Sequence, residues 1–107
     1  MTNTLTISTE NEYLTLINVF TVDPTNHKKL IDLLTMATET TVSHIKGFIS
    51  SALHSSLDGK KVTMYAQWES IEDYQTMRGN PMASPYLDQA LRIASFDPGI
   101  YAVVKTF

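Results

Sequence analysis

GFISSALHSSLDGKKVTMYAQWES, residues 47–70, decides the fold. Two extended runs, Phe48 to Leu57 and Lys61 to Trp68, flank Asp58-Gly59, a dipeptide that favours a tight turn because both positions tolerate positive φ. The runs are therefore predicted to pair as an antiparallel hairpin. With a two-residue turn at Asp58-Gly59, Leu53 falls opposite Met64 and Ile49 opposite Trp68. Side-chain alternation then puts Ile49, Ser51, Leu53, Met64, Ala66 and Trp68 on one face, and Phe48, Ala52, His54, Tyr65 and Gln67 on the other. Each face carries apolar groups, so each needs a cover.

Upstream, YLTLINVFTV (13–22) is β-branched and aromatic with both faces substantially apolar, the pattern of a strand covered on two sides. Asp23-Pro24 reads as an N-cap with proline at the first helical position. Leu30, Leu33, Leu34, Ala37, Thr41 and Ile45 continue at helical spacing to Gly47 as the stop. Downstream, Ser70 with Asp73 resembles a capping box for a short helix through Tyr74 and Met77 that stops near Gly79-Asn80-Pro81. Ser84-Pro85 repeats the start signal for a helix through Tyr86, Leu87, Ala90, Leu91 and Ala94, and Asp97-Pro98-Gly99 is predicted to turn the chain into a last strand, IYAVVKTF. The order β-α-β-β-α-α-β is that of a ferredoxin-like plait, an α+β fold whose helices lie on one face of an antiparallel sheet. The simplest cover for the opposite face is the sheet of a symmetric partner. Residues 1–12, rich in Thr, Asn, Ser and Glu, read as a flexible N-terminal arm ahead of a single domain spanning 13–107.

The chain has 107 residues, enough for one core only. A domain of this size buries only about two thirds of the surface its unfolded chain exposes, so self-association adds useful burial. Eight Lys and Arg against eleven Asp and Glu give a net charge of -3, with no basic stripe for nucleic acid. The absence of cysteine excludes disulfides, thiolate nucleophiles and cysteine-based metal sites. Residues 1–12 show neither a basic nor an apolar leader segment, and no apolar run approaches membrane-spanning length, so a cytoplasmic protein that avoids membranes is expected.

The segment YAQWES (65–70), the Tyr74 that follows it, the upstream GFISSALHSSLDG (47–59) and the order of elements together resemble the antibiotic biosynthesis monooxygenase family of dimeric α+β barrels, over residues 13–107. The nearest likeness is to the cofactor-independent oxygenases that convert anthrones to quinones. In those, a Trp ending the third strand and a Tyr on the next helix line the pocket, which implies pocket roles for Trp68 and Tyr74. The same resemblance sets Met64 where those enzymes carry Asn, and Asp88, with Arg92 one turn on, where they carry Arg. The haem-degrading branch needs a strand-one Asn, which Asn18 matches, and a late His, which no histidine here matches because His27, His44 and His54 all come earlier.

Oxygenation without a cofactor requires a substrate that itself gives an electron to dioxygen, commonly a phenolate or enolate held in a dry aromatic slot. Trp68 offers an indole N–H and a flat face, and Tyr74 a phenol able to donate or relay a proton. Asn18 is a lone amide amid an apolar strand and needs a partner, either neighbouring backbone or something in the pocket. Trp68, Tyr74 and Asn18 are the candidate catalytic residues; Leu53, Met64, Met77 and Arg92 are the candidate substrate contacts. His54 is placed on the face away from Trp68, and no histidine pair or acidic cluster points to a metal. The expectation is a homodimeric, cofactor-free monooxygenase acting with O2 on a phenolic, anthrone or quinol-like aromatic. A non-enzymatic dimeric binding protein and an isomerase or cyclase of the same fold stay open beside it.

Overall fold

The computed structural model describes residues 3–79 and 84–107. Strand β1 (Leu14–Val22) is followed by helix α1 (His27–Thr40), strands β2 (Phe48–Ser55) and β3 (Lys61–Trp68), helices α2 (Ile71–Arg78) and α3 (Ser84–Ile93), and strand β4 (Ala94–Tyr101). The sheet order is β2-β3-β1-β4, antiparallel throughout, which is the expected plait. Between β1 and α1 a single 3-10 turn, Pro24–Asn26, is capped by Asp23, whose carboxylate accepts from the hydroxyl and the backbone N–H of Thr25 and is held below the usual carboxylate range by those two bonds.

Three local expectations change. The first helix stops at Thr40, not at Gly47. The run Thr40-Thr41-Val42 is β-branched, and the hydroxyls of Thr38 and Thr40 bond back to the carbonyls of Leu34 and Met36, which weakens the last turn. A 3-10 turn at Val42–His44 carries the chain onward, and Gly47, at φ 90°, reverses it into β2. The hairpin loop holds four residues, Leu57 to Lys60, closed by Ser56 N–H donating to Lys61 O at 3.0 Å, with Gly59 at φ 75°. One residue is added on each side, so Leu53 still faces Met64. A bulge between Phe48 and Ser50, however, pairs Phe48 with Trp68 in place of Ile49. Phe48 therefore joins the Trp68 face, opposite to the alternation expected for it. Finally, Asp97-Pro98-Gly99 lies inside β4, where it pairs with Val19, Asn18 and Ile17. Proline is tolerated because β4 is an edge strand whose outer side makes no ladder bonds.

All three helices cover the sheet face that carries Leu16, Asn18, Phe20, Val62, Ala66 and Trp68. Two buried clusters form there. One joins Phe20, Val22, Leu30, Leu34, Val62 and Ala90, and the other joins Leu16, Ala66, Trp68, Tyr74 and Met77. On the opposite face Gln67 is buried but satisfied: it accepts from the Ser50 hydroxyl and donates to the Thr6 carbonyl, both at 2.8 Å. That second bond ties the amino-terminal arm to the sheet. No helix among the described residues is long and apolar enough to cross a membrane.

Candidate active site

A cavity of about 110 Å³ opens between the sheet and the helices, where the two clusters meet. Its floor is Leu16, Asn18 and Phe20 of β1, Met64, Ala66 and Trp68 of β3, Phe48 and Ser51 of β2, and Phe96 of β4; its roof comes from α1, α2 and α3. Trp68 is 1% exposed, with Phe48 edge-on at 5.5 Å between ring centroids and Tyr74 at 6.2 Å.

Tyr74 reaches this position through the start of its helix. The Ser70 hydroxyl accepts from Asp73 N–H at 3.1 Å and donates to its carboxylate at 3.0 Å, while Glu69 N–H donates to Gly47 O at 2.7 Å. The absence of a side chain at Gly47 gives room to the Asp73 side chain, which a Cβ there would strike. Tyr74 is thus held, buried, against Trp68 at the end of β3. At the other end of α2, Arg78 Nη1 donates to the Tyr74 hydroxyl oxygen at 3.0 Å, so the phenol's own proton is free to point elsewhere.

Asn18 stands at the centre of β1, between Met64 of β3 and Pro98 of β4. Its Oδ1 is buried and meets no hydrogen-bond partner among the described residues. The Thr38 hydroxyl, also at the cavity, is committed to Leu34 O, to which it donates at 2.8 Å. An acceptor left in this state costs about 1–3 kcal/mol, which a bound molecule with a hydroxyl would recover.

Five of the seven residues named from the sequence, Trp68, Tyr74, Asn18, Met64 and Met77, line this one cavity. Leu53 does not. It packs against the Phe20 cluster and borders a neighbouring groove beside β2, also lined by Asn3, Thr4 and Leu5. Arg92 is exposed in the last turn of α3 and is not among the residues lining the cavity, to which α3 contributes Leu87 and Leu91. The cationic group at the cavity is Arg78 instead. Its signal in the sequence was the i, i+4 spacing from Tyr74, which a basic residue in a last helical turn masks, since such residues are common there. His54 is exposed opposite Thr63, off the cavity.

Residues 13–86 match the family model described as antibiotic biosynthesis monooxygenase. The chain is 36% identical over 102 residues to tetracenomycin-F1 monooxygenase of Streptomyces glaucescens, covering 95% of this chain and 91% of that protein. Among solved structures, it is similar to the monooxygenase ActVA-Orf6 of Streptomyces coelicolor in complex with nanaomycin D, at TM-score 0.80 and 23% identity over 92% of this chain and 93% of that one. It is also similar to SnoaB, a cofactor-independent oxygenase from Streptomyces nogalater, at TM-score 0.72 and 16% identity over 89% and 96% of the two chains. Likenesses at these identities speak for the shared fold.

Proposed function

Since the chain belongs to the antibiotic biosynthesis monooxygenase family, we propose that it is a cofactor-independent monooxygenase that oxidises a phenolic, anthrone or quinol-like aromatic with O2. The observation that carries this reading is the cavity: an apolar, aromatic-walled space in which the Asn18 amide, the Trp68 indole and the Tyr74 phenol converge from three chain segments. Its walls suit a flat ring system, and its few polar groups suit ring oxygens.

For an anthrone the chemistry balances without an external reductant. The activated methylene loses two hydrogens, one atom of O2 becomes the carbonyl oxygen, and the other leaves as water with those hydrogens. The protein's share is to hold the ionised ring oxygen, exclude bulk water and place the reacting carbon. Asn18 and Tyr74 hydrogen-bond the ring oxygens, and Trp68 stacks on or edges the ring plane. With Met64 apolar, polar recognition falls on Asn18 of β1, the Trp68 indole N–H of β3 and Tyr74 of α2.

Oxygen uptake by metal-free and flavin-free protein, measured against a panel of anthrones and hydroquinones, tests the reading. Substrate-dependent uptake without hydrogen peroxide is expected, an anthrone giving the quinone and water and a hydroquinone the hydroxyquinone and water. Tight binding of the same compounds without uptake would instead mark a binding protein of this fold, and rearranged, unoxidised product an isomerase or cyclase.

The reading includes a cytoplasmic homodimer joined through the outer sheet face. Support comes from Ile17, Val19, Ala52 and Tyr65, apolar or aromatic groups on the face that no helix covers, and from the Tyr65 hydroxyl, buried with no partner among the described residues. Sedimentation at micromolar concentration should give about twice 12.0 kDa; a single species at 12.0 kDa would end the proposal.

A further inference from the structure

We infer that Arg78 is the residue that positions an anionic oxygen of the substrate at the cavity mouth, so that this site takes acidic aromatics in preference to neutral ones of the same shape. The inference rests on the small-aromatic reading above and deepens it. Arg78 ends α2, borders the cavity and is solvent-exposed, with its guanidinium carbon 5.7 Å from the ring centroid of Phe96 and 6.0 Å from that of Tyr74. Two rings from different elements, a helix and a strand, therefore hold one cation in place.

Among the described residues the cation also meets no carboxylate in an ion pair. The only ion pair among the described residues joins Lys28 to Asp32 in the first turns of α1, and residues 80–83, Asn-Pro-Met-Ala, contain no acid. Of the five N–H donors on a guanidinium, one meets an acceptor among the described residues, the Tyr74 hydroxyl. That bond does two things. It fixes the guanidinium plane beside the cavity, and because the Tyr74 oxygen accepts, the phenol proton becomes a second donor beside the remaining Arg78 N–H groups. Two donors, one of them charged, thus flank the same opening, an arrangement suited to a carboxylate, phenolate or enolate oxygen. Asn18 lies deeper, on the sheet floor, so a ring carrying an ionised oxygen at one edge and a hydroxyl at the other spans the two. Arg78 acts as a positioning residue.

The test is a binding comparison that requires no turnover, so its outcome is separable from that of the oxygen-uptake assay. Trp68 is the only tryptophan in the chain and lines the cavity, so its fluorescence reports occupancy. The probes are 9-anthracenecarboxylate and 9-anthracenemethanol, one ring system with and without the anionic oxygen. The parent protein should bind the carboxylate more tightly, and Arg78→Gln should weaken it about tenfold while leaving the alcohol unchanged, with an unaltered thermal midpoint. Arg78→Lys, which keeps the charge, should retain most of the preference, and high salt should erode it. Equal affinities for the two probes in the parent, or an Arg78→Gln protein whose preference is intact, would overturn the assignment whether or not the protein consumes oxygen.

Discussion

Trp68→Ala should lower the unfolding free energy by about 3–5 kcal/mol, the range for deleting a large aromatic from a close-packed core. The ring is 1% exposed and touches Phe48 from β2 and Tyr74 from α2, so its removal undoes the contact that pins α2 to the end of β3. For a domain whose whole stability is about 5–15 kcal/mol, that loss brings the folded state close to its limit. Trp68→Phe keeps most of the apolar contact and removes only the indole N–H, and should remain folded. Urea unfolding of the two variants checks this. A loss under about 1 kcal/mol for Trp68→Ala would show that the ring merely fills space that neighbours can reclaim. If Trp68→Phe is stable yet impaired in oxygen uptake, the indole donor belongs to the chemistry.

Asn18→Leu should shift stability and activity in opposite directions. The buried Oδ1 has no partner among the described residues, so an apolar side chain of comparable size removes an unpaired acceptor and should stabilise the fold by about 1 kcal/mol. The same change takes away the one polar group on the β1 floor, and kcat/KM should fall about 100-fold, the lower end for losing a placed hydrogen bond in an active site. Thermal unfolding and steady-state oxygen uptake on the same preparations decide it. A destabilised Asn18→Leu protein would mean that the amide holds the strand together through contacts of its own, and full turnover would remove it from the site.

The architecture could be read from the chain because its signals are local and agree. The Asp58-Gly59 turn, the Ser70 and Asp73 cap, the proline after Asp23 and the two-sided strands all point to one plait, and the register Leu53 to Met64 survives even though the loop is wider than two residues. What escaped depends on contacts between distant segments. Pro98 looks like a breaker in isolation and becomes tolerable only once β4 is known to be an edge. Phe48 faces Trp68 only because of a one-residue bulge, which alternation does not encode. The site shows the same division. Asn18, Met64, Trp68, Tyr74 and Met77 follow from strand parity and helix spacing together with the family resemblance, whereas the choice of Arg78 over Arg92 is made by how α2 and α3 roll against the sheet.

The arm has a practical side. Thr6 is tied by its carbonyl to Gln67, and Asn3, Thr4 and Leu5 border a groove that shares Thr38, Phe48, Ser51 and Met64 with the cavity. An affinity tag fused ahead of residue 3 would be delivered alongside the back wall of the substrate cavity, where a run of tag histidines can bind the stray metal that an assay for metal-free turnover must exclude. Phe107 is fully exposed at the opposite terminus, and a purification handle placed there keeps tag histidines off the anchored arm.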